Sequence, residues 1–406
     1  MGLHVSVARQ LCRLTVRSRR QLLGAAAAAA LAITAAGCSS GTATTTTTTT
    51  TLPPLPPQVY AYVTMVGTGA NLGLGHDVIP IEVSIGGTGP GAAIGVGTYP
   101  DAIAITPDGE RAYVTNYASN SVTPIDLLSG KVQASIRLGS SAGPAGIAIT
   151  PDGTTAYVTD AGATGTLGDT ITPIDLATDK TLSPITVGPG PQGIAIAPDG
   201  LRAYVADAGA IVSGQTGAFG STVTPVDLLT GRALAPITVG NAPTGIAITP
   251  DGSTALVANL NSGSVSPINL ANDVAGAPIP VSGAPIAVAV SSTEPTIAYV
   301  VDTISKQSAT GNVTPVDLTS DTAGAPIGVG RNPQAIAMSP DGKTAWVVCY
   351  DSQTIVPLNI RTNRPGKAIH LPGGPSAIAV ASRPTSAPTV TTTVPAKRGS
   401  STNKKK

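Results

Sequence analysis

"GIAITPDGTTAYVTD" (residues 146–160) decides the fold, because the chain keeps returning to it. "GIAIAPDGLRAYVAD" stands at 193–207, "GIAITPDGSTALVAN" at 245–259 and "AIAITPDGERAYVTN" at 102–116. A second marker, a β-branched residue, any residue, proline, an aliphatic residue and an acid or amide, occurs at 78–82, 122–126, 171–175, 223–227, 265–269, 313–317 and 355–359. Its prolines are spaced by 44, 49, 52, 42, 48 and 42 residues. A period of roughly 40–50 residues with several short strands in each unit is the signature of a β-propeller.

Each repeat reads as four strands: a ("GIAIT"), b ("AYVTN"), c ("VTPID") and d ("PITVG"). All are short and rich in Ile, Val, Thr or Ala. Between a and b sits "PDG", at Pro107, Pro151, Pro198, Pro250 and Pro340. Proline presets φ, aspartate bonds nearby backbone and glycine takes the positive φ that closes a hairpin. From this aspartate to the large residue of strand b the count is constant: Asp108 to Tyr113, Asp152 to Tyr157, Asp199 to Tyr204, Asp251 to Leu256 and Asp341 to Trp346. The recurring aspartates are therefore turn residues, and the constant count fixes the hairpin register. Proline in strand c of every repeat is expected at the start of that strand, since it has no N–H to give a ladder. Pro184, Pro236, Pro278 and Pro326 fall in strand d, where proline protects an outer edge.

The ends do not hold whole repeats. Residues 59–66 read as a strand b without its a, and residues 375–382 as a strand a without its b. The expectation is an all-β, seven-bladed β-propeller over residues 59–382, four antiparallel strands per blade. It is closed by N-terminal strands b, c and d pairing with a C-terminal strand a. "AYVTN", "ITPDG" and "VTPID" resemble the YVTN family of β-propeller repeats across this whole region. That family spans surface proteins and relatives of enzymes, so the resemblance implies the fold and leaves the activity open.

The flanks speak of location. Residues 1–37 carry five arginines, no acid and then an apolar run, the layout of an export signal. "SRRQLLG", with Arg19 and Arg20, resembles a twin-arginine signal. "AAGC" resembles a bacterial lipobox, which would make Cys38 the lipidated first residue of the mature chain. That places the protein outside the cytoplasmic membrane, anchored at the cell envelope. Residues 38–58 follow as a Thr/Pro-rich stalk and residues 383–406 as a disordered Thr/Pro-rich tail with a basic end. Of the three cysteines, only Cys349 lies in the repeats, where it reads as a half-buried structural thiol and leaves no internal disulfide. Between leader and tail, 12 basic residues face 22 acidic ones. An acidic body with few aromatics argues against nucleic acid as a partner, and a monomer is expected.

Function is expected where the repeats disagree. The b–c and d–a connections emerge on one face, here called upper, and the b–c connections vary most in length. Asp160 and Asp207 open two of the long ones, and Phe219, the one phenylalanine of the chain, sits in the longest, as a loop anchor or a ligand contact. The d–a connections each hold a proline followed by Asp101, Ala145, Gln192, Thr244, Ile286, Gln334 and Ser376. That ring forms the channel mouth and suits water, a small polar ligand or a sugar. Asp101, Gln192, Thr244, Gln334, Ser376, Asp160, Asp207 and Phe219 are thus the candidate binding residues. The repeats carry only His76 and His370, too few for a histidine-based metal site or a triad. No catalytic residue, metal or cofactor is assigned. The sequence favours a non-catalytic binding module for a protein or glycan of the envelope. A lactonase-like hydrolase or lyase, and a structural envelope protein, are the alternatives.

Replacing Cys38 by alanine is expected to release the protein into the medium or to leave the precursor uncleaved. Fractionation with size analysis decides it, since a mature-sized variant retained on membranes would exclude the lipobox.

Overall fold

The computed structural model describes residues 46–51, 58–67, 75–84, 89–163, 165–211, 217–303, 310–383 and 389–394. Two compact units result. In the smaller, Thr46–Thr51 of the Thr-rich stalk pairs antiparallel with Thr389–Val394 of the tail. The tail, expected without structure, thus contributes one strand, in keeping with the β propensity of threonine and valine. The larger unit, residues 54–386, holds the repeats.

There, seven antiparallel sheets form the blades of a closed ring. Blade 2 shows the pattern: strand a Pro100–Ile105, strand b Arg111–Asn116 and strand c Ser121–Asp126. Strand d comes in two pieces, Lys131–Val132 and Ile136–Arg137. Strand a of blades 3 to 7 is Pro144–Ile149, Pro191–Ile196, Pro243–Ile248, Ala284–Val290 and Pro333–Met338. Blade 1 is composite. Its b, Gln58–Met65, and c, Asp77–Glu82, come from the N-terminal side, and its a, Pro375–Arg383, from the C-terminal side. The expected closure is the observed one. The a strands of neighbouring blades touch around the axis.

The blades are held together by one alternation. Successive residues of a strand point to opposite faces, so in "AYVT" the alanine and valine face one neighbour and the tyrosine the other. Ala112 and Val114 of blade 2 pack against Tyr62 and Val78 of blade 1. Tyr113 packs against Ala156, Val158 and Ile174 of blade 3. The scheme recurs at every junction, giving seven apolar clusters, one between each pair of blades. Leu256 and Trp346 take the tyrosine place in blades 5 and 7.

The strand c prolines do not stand at the strand start, as the sequence suggested. Pro124 is paired with Tyr113 in the middle of its strand. Its carbonyl accepts from the Gln133 N–H at 2.9 Å, on the strand d side. A residue's N and C=O point the same way in a strand, so the missing N–H also faces strand d. All seven prolines repeat this bond, at 2.7–2.9 Å. With no donor opposite, strand d breaks there into its two pieces. Pro184, Pro236, Pro278 and Pro326 lie inside those breaks.

On the lower face, Asp108 accepts from the Thr106 hydroxyl at 2.5 Å and the Glu110 N–H at 2.9 Å, so the "PDG" aspartate is a turn residue. The tyrosine hydroxyl adds a clasp wherever the next blade offers an acceptor. Tyr113 donates to Asp179, Tyr204 to Asp273 and Tyr299 to Asn363, each at 2.9 Å. Arg111 and Arg202 pair with the same two aspartates at 2.6 and 2.8 Å.

A chain ending at Gly374 removes strand a of blade 1 and should melt many degrees below the full chain. One ending at Ser386 should melt with it. Equal midpoints for both truncations in thermal circular dichroism would show that the closing strand adds nothing.

Candidate functional site

The residues after the d–a prolines come together, although they stand inside strand a and not in a loop. In blade 3, Pro144 pairs with Asp160 and Ile147 with Val158, so Ala145 and Gly146 together oppose Thr159. Such a bulge re-aims side chains locally. The register shifts at the same place in the other blades. Asp101, Ala145, Gln192, Thr244, Ile286, Gln334 and Ser376 all line one cavity of about 520 Å³ at the channel mouth.

Two of these are occupied with holding the ring. The threonine of "YVTN" stitches a bulge in its own blade to the next blade: Thr159 accepts from the Gly146 N–H and donates to the Gln192 carbonyl, both at 2.7 Å. Thr115 does the same with Ala102 and Ala145. Blade 5 has Ala258 instead, and there Thr244 donates to the Ile286 carbonyl at 3.1 Å. Ser376 donates to the Pro100 carbonyl at 2.8 Å. The groups left for a ligand are therefore Asp101, Gln192 and Gln334. Among the described residues, the Gln192 amide nitrogen is buried without a hydrogen-bond partner. Gln334 gives one amide hydrogen to Asn332 at 2.6 Å, which leaves its carbonyl. Burial pushes the Asp101 carboxyl up to about 6.

The sequence missed Tyr99, Tyr350 and Asn332, which share the wall. Tyr99 and Asn332 precede the strand a proline and adopt φ of 55° and 52°. The connection demands this left-handed backbone, for Gly143 and Gly190 take it in blades 3 and 4. A side chain larger than glycine costs about 1–2 kcal/mol there, so an aromatic in that place is the signal that could have revealed the site. Burial, and then the nearby Asp101, push the Tyr99 hydroxyl up to about 12. Its ring lies 5.6 Å from that of Tyr117.

The other candidates lie elsewhere. Asp160 and Asp207 belong to strand b and turn into the blade, not to the upper face. Asp160 accepts from Thr170 at 2.9 Å and Thr172 at 2.7 Å, and Asp207 from Thr222 at 3.1 Å and Thr224 at 2.7 Å. Asp302 accepts from Thr314 likewise. The glycine ending the preceding blade makes room: a Cβ on Gly188 would collide with the Asp207 carboxyl. Phe219 is not a buried anchor. It starts strand c of blade 4 opposite Gly209, 57% exposed, because both strands run beyond their usual length there. Cys349 is fully rather than half buried, and burial pushes its thiol to about 12. Among the described residues there is no cluster of three or more metal-ligating side chains. No helix among them is long and apolar enough to cross a membrane. Arg19, Arg20 and Cys38 lie outside the described residues.

No protein-family model matches the chain, and no curated protein matches it. Solved structures do. Hydrazine synthase of Kuenenia stuttgartiensis is similar at 20% identity and a TM-score of 0.60, over 71% of this chain and 96% of that one. A protein of unknown function from Desulfotomaculum acetoxidans is similar at 18% identity and 0.63, over 80% and 99%. Likeness at this identity speaks for the propeller fold alone.

The buried aspartates give the blades a pH dependence. Burial raises the Asp207 carboxyl to about 6 from an ordinary value of 3.8. The folded state therefore holds its proton more tightly than the unfolded chain. The contribution of this one group to stability is full below about pH 4, falls as pH rises to about 6 and stays reduced above. Asp207→Asn cannot ionise, and blades 2 and 5 already carry Asn116 and Asn259 at this position, donating to Thr123 and Ser266 at 2.9 Å. The variant should be more stable than the parent by up to roughly 2–3 kcal/mol at pH 7.5 and no more stable at pH 4. Denaturant melts at both pH values check this, and a gain of equal size at pH 4 would rule out ionisation as its source.

Proposed function

We propose that this chain is an exported, lipid-anchored β-propeller of the YVTN repeat type that serves the cell envelope as a non-catalytic binding module. Its site is the channel mouth. One observation carries the reading: the same strand position, read from blade to blade, encloses a single cavity, and in three blades it presents Asp101, Gln192 and Gln334. Their remaining hydrogen-bonding capacity is unspent by the fold. A buried amide without a partner is costly in a native protein, and a ligand that satisfies it would recover that cost.

The upper face frames this cavity with its least repetitive connections. Backbone bonds knit those of blades 3 and 4 together, from Gly190 to the Gly168 carbonyl at 2.7 Å and from Ala208 to the Gly190 carbonyl at 3.0 Å. Long connections on a rigid scaffold are the usual carriers of binding. The leader and the "AAGC" stretch support export and lipid attachment, and the acidic body supports a protein or glycan partner over nucleic acid.

The test is capture of envelope protein or wall glycan by the purified propeller. Asp101→Ala, Gln192→Ala and Gln334→Ala combined should lower capture at least tenfold with an unchanged circular dichroism spectrum. Leu229→Ala, on the exposed edge of blade 4, should leave it unchanged. Capture that survives the triple variant would move the site away from the channel.

A further inference from the structure

The cavity wall is chemically one-sided. Among the described residues its lining includes one carboxyl, Asp101, and no lysine, arginine or histidine. Arg331, beside the wall residue Asn332, donates to the Asp351 carbonyl at 3.2 Å. Among the described residues no ion pair or hydrogen bond engages the Asp101 carboxyl, and the groups close to it are phenolic. Tyr99 and Tyr117 both feel its charge, and Tyr350 lies beside Tyr99. The Tyr350 hydroxyl donates to the Gly67 carbonyl at 3.0 Å and that of Tyr117 to the Gly162 carbonyl at 2.9 Å, so both phenols are spent and fixed. What remains is an unpaired carboxyl among aromatic rings, with amide groups further round the ring at Gln192 and Gln334.

Resting on the reading of the channel mouth as the binding site, we infer that its ligand is an organic cation, a primary ammonium group carried on a hydroxylated frame. The ammonium is held by the Asp101 carboxylate with the Tyr99 and Tyr350 rings beside it. An ammonium supplies the counter-charge that the wall lacks, and ring faces attract cations as well. Its three N–H donors match a carboxylate and neighbouring acceptors. The Gln192 amide donates to, and the Gln334 carbonyl accepts from, the hydroxyls of the frame. A neutral ligand of the same shape would leave a carboxylate unpaired at a site where burial already disfavours its charge. An anion would add repulsion.

The inference sets a sign for pH. The Asp101 carboxyl ionises at about 6 in the free protein, while an alkyl ammonium stays protonated from pH 5 to 8. Cation binding favours the carboxylate, so affinity should rise with pH through that range. The other titratable groups around Asp101 are Tyr99 and Tyr117, which feel its charge, and Tyr350 beside Tyr99; all three are shifted upward and stay neutral.

Three probes on one frame test it: glucamine, with a primary ammonium; sorbitol, with a hydroxyl; and N-acetylglucamine, with a neutral amide. Titration calorimetry on the whole propeller at pH 7.5 should show saturable glucamine binding at least tenfold tighter than either neutral probe. Going to pH 5 should weaken it about tenfold, and so should Asp101→Asn, an isosteric change that keeps the fold. Tyr99→Leu should weaken it severalfold with the pH profile retained. If all three probes bind alike, or Asp101→Asn keeps the preference, the cation is excluded while the channel mouth remains the site. Failure of glucamine to bind overturns the inference as well. The site itself is tested separately by capture with the triple variant, so the two failures are distinguishable.

Discussion

Each blade of this protein hands one large side chain forward and offers a small pair backward, and the remainder of the structure depends on that exchange. Tyr113 enters the space above Ala156 and Val158, while Ala112 and Val114 receive Tyr62. Alanine is required because the incoming ring needs the room, and valine because it closes the sides. With so few aromatics in the chain, burial is assembled from many small contacts around these insertions. No single blade has a core of its own. The apolar clusters lie between blades, so the ring is the smallest unit that buries all of them.

Position within the repeat then separates structural residues from free ones. Threonine near the end of strand b joins bulge to bulge, and the last residue of that strand turns inward. In blade 5, where strand b carries Ala258 at this place, Thr244 supplies an equivalent bond from a neighbouring position. Such substitution of one donor for another is why two polar residues at the channel mouth carry load while Asp101, Gln192 and Gln334 do not. The distinction depends on bonding and cannot be made on polarity.

The fold was legible because it is stated seven times, and each statement fixes the next. The ring around the channel was legible too, because a proline marks the same place in every repeat. What misled was direction. A proline in strand c shows that an N–H is missing but not which neighbour it would have faced, and the interrupted strand d supplies that answer. Asp160 and Asp207 looked like the first residues of loops because the chain becomes irregular after them. The glycine that lets Asp207 turn inward, Gly188, lies in the preceding blade, so its relation to the aspartate needs the third dimension. Phe219 misled through rarity alone. Tyr99 and Tyr350 escaped notice because each stands one residue outside a recurring motif, and the signal at Tyr99, an aromatic where other repeats carry glycine, has meaning only once the left-handed backbone of that place is known.

Closure of the ring has a kinetic meaning. Most strand pairs here join neighbours in sequence, but Val63 meets Ile378 across more than three hundred residues. Loop-closure entropy grows with the logarithm of length, and going from roughly ten residues to three hundred adds about 3 kcal/mol, a modest cost in equilibrium terms. In time the cost is larger, because distant pairings form late. Blades 2 to 7 can assemble locally while Gln58–Met65 waits for the end of the chain. Until then Gln58–Met65 has an unpaired edge, and the apolar faces of blades 1 and 7 that meet at their junction are incompletely covered, the kind of surface on which β proteins aggregate. The last blade strand to be synthesised, Pro375–Arg383, is therefore also the one that ends this exposure.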